Sequence, residues 1–552
     1  MNRFSFSSEE STRKWSRLTF RASTVPRLRA LSEVRRCLPC DPSLIESIGR
    51  AVLLSGISGV LVFLSFPTMD VSFLAWVALV PLLWAVGQVS WGRAFWLGWV
   101  AGLSLYGFLC FPMYQSIPTV LLSDYVLLIA YWGLYVALFS LGVGLLSSYG
   151  PFMLLGALPA LWVCLEFLRG HLFFLEFPWV FLAHSQYQSL ALIQISSFTG
   201  AYGVSFLIVL VNAGVWLLLR SWRTGLMPFL VSIGCLGSVL LFGEWTVQTP
   251  VSPETVPITV IQGNVPDSFR VSRSSSATVT SRYLDLAQRS FASAASSLVV
   301  FPENAVAGRL NRNPTRLRPF MDLAARYETP VLLGGAARPK SGTRNFQHTH
   351  EFNRAYLISS SGQLAGRYDK MKLFPFFEFL PFEGLLPWPA RYQSAGAILP
   401  GQVPYLFSLG EKKFGVLICW ESFFPEGVRQ LVRDGADFLI NMTNEELIGD
   451  NAASYQILAI NVFRAVEHRI SLVRAANTGI SGFIDPFGRI LGLVQQEGRE
   501  TFVSGFLTHQ VPGKGNSTFY GEQGDVFAWS NGAVLLGIGL FLGYRKCCSI
   551  RM

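Results

Sequence analysis

The feature that most constrains this chain is the recurrence of apolar stretches as long as a bilayer is thick. A helix crossing the hydrocarbon core needs about 20 apolar residues. Eight segments approach that length, at roughly 50–67, 72–88, 94–114, 123–147, 152–169, 201–219, 226–243 and 528–544. Seven precede a long polar region and one follows it. Only 14% of the residues are charged, against about 25% in soluble proteins, and mean hydropathy is +0.40. The expected architecture is a membrane protein: a bundle of eight transmembrane helices with an inserted α/β domain. The expected divisions are a basic tail (1–49), seven helices (50–245), the inserted domain (251–515), an eighth helix (526–546) and a short tail (547–552).

The net charge of +10 would suit nucleic acid, but the basic residues are placed otherwise. Arg13, Lys14, Arg17, Arg21, Arg27, Arg29, Arg35 and Arg36 sit in the tail. Arg93, then Arg220 and Arg223, fall in short loops, and Arg545, Lys546 and Arg551 follow the last span. With eight crossings all of these lie on one side, whereas loops 68–71 and 115–122 hold no Lys or Arg. Positive residues collect in cytoplasmic loops, so no nucleic-acid partner is expected and the inserted domain is expected outside the cytoplasm. The tail lacks the long apolar core of a signal peptide and reads as a disordered, orienting segment. Cys37-Leu38-Pro39-Cys40 has CxxC spacing but no second ligand pair nearby, so two free thiols are expected there and no metal. Cys547 and Cys548, beside a helix end, are read as an ordinary pair, with acylation the other option.

Residues 251–515 alternate short strand patterns with amphipathic helix patterns, which predicts a layered α/β arrangement. Strands are expected at 258–262, 298–301, 331–334, 355–359, 414–419, 438–442, 471–475 and 482–484. Helices are expected at 279–294, 314–327, 425–434 and 452–468. The loop from Leu373 to Phe382 is nearly all aromatic and proline, and Pro375 and Pro381 forbid a regular helix. Two readings stand: a buried loop, or a lid laid into the membrane interface. Glu378 within it is more readily explained by pairing or function than by idleness.

Three residues carry chemistry. Cys419 ends the apolar run Phe414–Ile418, Glu303 follows Val300-Phe301-Pro302, and Lys370 follows Arg367-Tyr368-Asp369. Taken singly, each has a bland reading: a core thiol, a helix cap, a solvated cation. Together a thiol, a carboxylate and an ammonium are what acyl transfer through a thioester requires.

The runs Phe301–Asn304, Tyr368–Glu378 and Leu417–Glu421 resemble the Glu–Lys–Cys signature of the nitrilase superfamily. Ile261–Pro266, Ala476–Gly482 and Asp485–Gly488 fit as well. With helices on both flanks, the chain from about residue 50 onward resembles the bacterial apolipoprotein N-acyltransferases. The resemblance implies a nitrilase-like αββα sandwich facing the periplasm from the inner membrane. It implies a phospholipid acyl donor, a diacylglyceryl apolipoprotein acceptor, and neither metal nor dissociable cofactor. Cys419 would be the nucleophile, Glu303 the general base and Lys370 the oxyanion stabiliser. Glu378 would orient Lys370 or Glu303, and Glu421 would support the site beside Trp420. Lys372 competes with Lys370, but its spacing to Pro375 and Glu378 fits the motif less well. The chain departs from the family pattern at three places. Phe269 stands near the first motif without a tryptophan, Trp420 replaces a familiar tyrosine, and Asn444–Gly449 alters a familiar loop.

Phe173–Trp179 and loop 373–382 are expected walls for the approaching lipid. A membrane-bound amidase or nitrile hydrolase would use the same triad with water, but would leave the bundle without a purpose. A transporter should carry charges mid-membrane, and only Glu166 and Asp124, near helix ends, stand out. A monomer is expected.

Overall fold

The computed structural model describes residues 42–67, 69–117, 120–172, 176–266, 275–309, 314–338, 350–383, 385–389, 392 and 398–550. Most of the basic tail with Cys37 and Cys40, the segment around Phe269, Phe173–Leu175 and the stretch 339–349 lie outside these residues.

The first part of the chain is helical: α1 (Pro42–Leu64), a 3₁₀ turn (Ser72–Trp76), α2 (Val80–Val86), α3 (Trp91–Ser116), α4 (Leu122–Leu146) and α5 (Pro151–His171). Then come a second 3₁₀ turn (Leu182–Gln186), α6 (Leu190–Ile193), α7 (Ser196–Thr199), α8 (Tyr202–Arg220) and α9 (Trp222–Val247). With the closing helix Val526–Ile550, seven helices among the described residues are long and apolar enough to cross a membrane. The expected span at 72–88 is the exception, because it is broken into the 3₁₀ turn and seven-residue α2. Pro81, in the first turn of α2, favours a helix start there over a continuous helix. The break is stitched by Asn212 of α8, which accepts from Leu79 N (2.8 Å) and donates to Ala75 O (2.8 Å). Backbone groups freed inside a bilayer need such partners.

Contacts fix the helix directions. Ser104 of α3 bonds Gly56 O of α1 (3.0 Å), and Phe108 stacks on Phe63, so α1 and α3 run parallel. Gly98 lies against Val136 and Ser140, and Gly102 against Gly133, so α3 and α4 are antiparallel and touch backbone to backbone. Small residues permit that approach between membrane helices.

Two sheets follow. One runs β13 (Gly505–Pro512), β1 (Thr255–Gln262), β2 (Leu298–Val300), β4 (Val331–Ala337), β5 (Phe352–Ile358), β6 (Leu364–Asp369), with β3 (Val306–Arg309) also on β4. The other runs β12 (Ile490–Leu493), β11 (Gly482–Ile484), β10 (Ser471–Ala476), β9 (Phe438–Thr443), β8 (Lys412–Ile418), β7 (Leu406–Leu409). Side chains alternate along a strand. In β8, Phe414, Val416 and Ile418 meet Ile258, Val300 and Leu357 between the sheets. The outer face of the first sheet is covered by α10 (Ser275–Ser293) and α11 (Arg318–Arg326). The outer face of the second is covered by α12 (Pro425–Arg433) and α13 (Ala453–His468). Helix–sheet–sheet–helix layering results, and the second helical layer shares one apolar core with the membrane helices. Helix α13 is therefore buried along nearly its whole length, between sheet and bundle. The chain closes with α14 (Phe519–Gln523) and α15 (Val526–Ile550).

Strands β3, β6, β7, β12 and β13 were not expected from the pattern. Three of them, β3, β7 and β12, span only four residues, and β6, β12 and β13 are largely half-exposed or exposed. Strand β13 pairs along its full length with β1, far away in sequence.

Candidate active site

The second sheet delivers Cys419. Strand β8 ends at Ile418, one residue earlier than expected. Cys419 has φ +56° and opens a 3₁₀ turn over Cys419–Phe423. A non-glycine residue in this region is strained. Asn441 of β9 holds it there, donating to Cys419 O (2.9 Å) and Leu417 O (3.3 Å).

The first sheet delivers Glu303 and Lys370. Glu303 follows β2 beside Gly334 of β4, where an added Cβ would lie 2.8 Å from Glu303 Cα. Its two carboxylate oxygens accept from Asn353 Nδ2 (2.6 Å) and Asn444 N (2.9 Å). Lys370 follows β6 with 1% of its surface exposed, and its Nζ donates to Glu378 Oε1 (2.8 Å). The other oxygen of Glu378 accepts from Phe374 N (2.7 Å), tying the aromatic loop to Lys370. Asn353 links the two positions, because its carbonyl also accepts from Lys370 N (2.9 Å).

Glu421 clamps the two sheets together. It accepts from Met371 N (2.7 Å), Lys372 N (3.0 Å), Ile418 N (2.7 Å) and the Tyr368 hydroxyl (2.9 Å). Trp420 Nε1 adds a bond to Lys372 O (2.7 Å). The side chain of Lys372 turns away to pair with Glu176, and is 43% exposed.

Glu303, Lys370 and Cys419 each sense the charge of the others or of Glu378. Burial pushes the Cys419 thiol up to about 12, and the Glu303 charge reinforces this while Lys370 opposes it. Burial also raises Glu303 above the ordinary carboxylate range, against the pull of Lys370. For Lys370 burial favours the neutral amine, but Glu378, Cys419 and Glu303 outweigh it and the ammonium is held. The resting set is a neutral thiol beside a carboxylate and a fixed cation.

Cys419 opens on a chamber of about 610 Å³, walled by Trp420, Thr443, Glu445 and Ile457. Met113, Phe177, Trp179 and Phe374 line both this chamber and a second, apolar cavity of about 860 Å³. That cavity lies between α3 and α4 under the aromatic loop, against Tyr114, Leu128 and Phe376.

Residues 58–214 match the family model of the apolipoprotein N-acyltransferase N-terminal domain, and residues 258–506 match that of carbon-nitrogen hydrolases. An apolipoprotein N-acyltransferase of Geobacter metallireducens is 35% identical over 87% of this chain and 93% of its own length. The chain belongs to the apolipoprotein N-acyltransferase family. An N-acyltransferase of Rhodopseudomonas palustris is 31% identical over 68% of this chain and 70% of its own length. One from Thermotoga maritima is 29% identical over 90% and 94%. A solved Nesterenkonia amidase of the nitrilase superfamily is 17% identical, with TM-score 0.37, covering 52% of this chain and 98% of that one.

Within this N-acyltransferase fold the site has members that sequence reasoning missed. Asn353 sits beside Arg354 near the start of β5, so nothing local sets it apart. Arg474, fully buried on β10, bonds Ile480 O (2.8 Å) and Asn441 Oδ1 (3.0 Å) and pairs with Glu445. The altered loop Asn444–Gly449 thus bonds Glu303 through Asn444 N and reaches Asn441, behind Cys419, through Glu445 and Arg474. Asn477 bonds the Tyr283 hydroxyl (2.9 Å), Val265 N (3.0 Å) and Asn444 Oδ1 (3.0 Å), tying the first motif to that loop.

Proposed function

We propose that this chain moves an acyl group from a membrane phospholipid, through a thioester on Cys419, to the α-amino group of the S-diacylglyceryl-cysteine that begins an apolipoprotein. The observation that carries this reading is the shared wall of Met113, Phe177, Trp179 and Phe374. It joins the chamber of Cys419 to an apolar cavity between two membrane-length helices. An acyl chain drawn into water exposes about 0.8 kcal/mol per CH₂, and a chain lying in this cavity avoids that. In the aromatic loop Phe374 packs on Trp420 while Phe382 is exposed, which supports a lid rooted at the site.

Glu303 takes the thiol proton as Sγ attacks the ester carbonyl, then gives it to the departing lysophospholipid oxygen. In the second half it takes a proton from the incoming amine as nitrogen attacks the thioester, and the thiolate leaves. Lys370 faces the oxyanion of each tetrahedral intermediate. Glu378 orients Lys370, while Glu421 and Trp420 keep the Lys370 segment against the nucleophile turn. No metal or cofactor takes part. The protein is taken to act as a monomer.

For the topology we assign eight crossings, with 72–86 as the second and 251–515 as the catalytic domain. Parallel α1 and α3 support this, because the chain between them must return to the side from which α1 started. Ser72 O lies at Gln186, near the domain, and Gly87 packs on Trp216, near the far end of α8. On this assignment the domain lies across the membrane from Arg93, Arg220 and Arg223, and the gathering of basic residues in cytoplasmic loops supports a periplasmic domain.

The test is intact-mass analysis of the purified protein given phospholipid without acceptor. One acyl group on Cys419 is expected, discharged by a diacylglyceryl-cysteine peptide with formation of an amide. An acyl group on another residue, or discharge by water alone at the same rate, would sink the reading.

A further inference from the structure

A cavity of about 1320 Å³, mouth included, lies at the junction of the membrane helices and the domain. It shares no lining residue with the catalytic chamber or the apolar cavity beside it. Its inner wall is Arg469, which caps α13 in a left-handed conformation (φ +49°) and is 7% exposed. Nη1 of Arg469 donates to Gln194 Oε1 (2.6 Å) and Pro486 O (3.2 Å), and the guanidinium lies over the Phe487 ring. Among the described residues no carboxylate pairs with it. Asp485, the acid whose charge it senses, is held by Arg489 (2.9 Å). Lys514, also on the wall, donates to Val432 O (3.2 Å) and likewise has no carboxylate partner among the described residues. Burial lowers Arg469 to about 10, opposed only by the charge of Asp485, and a buried cation without an ion-pair partner is costly.

The mouth is aromatic. Phe198, Trp245 and Phe519 are 48%, 72% and 45% exposed. Phe242 packs between Phe198 and Trp245 (5.5 and 6.5 Å between centroids). Aromatic side chains of this kind settle at headgroup depth.

We propose that this cavity binds an anionic phospholipid of the leaflet facing the domain, its phosphate against Arg469 and Lys514 and its chains along Phe198, Phe242 and Trp245. The cations supply the charge that a phosphate completes, and bidentate contact from a guanidinium suits it. A free phosphate would leave the aromatic mouth without an occupant.

The experiment uses the full-length Cys419→Ala protein in bilayer nanodiscs, with photoreactive phosphatidylglycerol or phosphatidylcholine and peptide mapping. Crosslinks from the anionic probe are expected within 242–249 and 514–519. They should fall about tenfold in Lys514→Glu and in Trp245→Ala, while acyl-enzyme formation by these variants with Cys419 restored is unchanged. Equal yields from the zwitterionic probe, or yields unaffected by Lys514→Glu, would overturn the proposal. Complete displacement by excess inorganic phosphate would show a phosphate site and overturn it as well.

Discussion

At the residue scale, the charges around Cys419 decide how the thiol is activated. A thiol raised to about 12 gives almost no thiolate at neutral pH, so on the proposed mechanism Glu303 removes the proton during attack. Glu303 itself is raised above its ordinary value of about 4.3. Its base form is lost as pH falls through that raised value, so acylation should show one acid limb lying above the ordinary glutamate range. Above the limb the rate should stay flat to mildly alkaline pH, because Cys419 and Lys370 do not titrate there. Single-turnover acylation measured against pH checks this, and a rate that keeps climbing toward pH 9 would mean a free thiolate is the nucleophile. Lys370→Ala should slow both half-reactions by about 10²–10³, the usual effect of a lost oxyanion donor. Lys370→Arg should rescue poorly, since a planar guanidinium cannot occupy the buried point-charge position beside Glu378. If Lys372→Ala is the inactive variant instead, the role belongs to the other lysine.

At the element scale, the wall shared by chamber and cavity is built by α3, the segment at 176–179 and the aromatic loop, and the proposed route of the acyl chain runs through it. Met113→Trp should narrow it. Acylation from a long-chain phospholipid should then fall about tenfold, equivalent to roughly 1.4 kcal/mol, while acylation from a short-chain water-soluble ester should be unchanged. Equal losses for both donors would mean the chain takes another path. The elements also mark what the sequence made legible. Glu303 and Cys419 stand out because each closes an apolar run, a contrast that local reading detects, whereas Lys370 follows the polar Arg367-Tyr368-Asp369 and is legible only through the motif it shares with the family. Asn353, Asn441 and Arg474 do not stand out, because their partners are backbone atoms and side chains of neighbouring strands. Strand β13 escapes notice for a related reason, since pairing with β1, far away in sequence, makes it and apolar alternation does not. At 72–88 the apolar pattern is correct, but the break at 77–79 depends on Asn212, far away on α8.

At the scale of the whole molecule, the side on which the thiol lies depends on the number of crossings before residue 251. An alkaline-phosphatase fusion within 340–348 should be active, and one after Met552 should not. The reverse pair would put the thiol on the cytoplasmic side, away from the lipoprotein terminus. The broken return segment has a further consequence. A 3₁₀ turn and two turns of helix rise roughly 20–25 Å, short of the roughly 30 Å hydrocarbon core. Phe73, Val77 and Trp84 on that segment are 69%, 43% and 40% exposed, so on the proposed topology lipid meets the short crossing directly. The bilayer is then expected to thin along this flank, and hydrophobic mismatch should make the protein most stable in short-chain lipids, with membrane thickness itself acting on the fold.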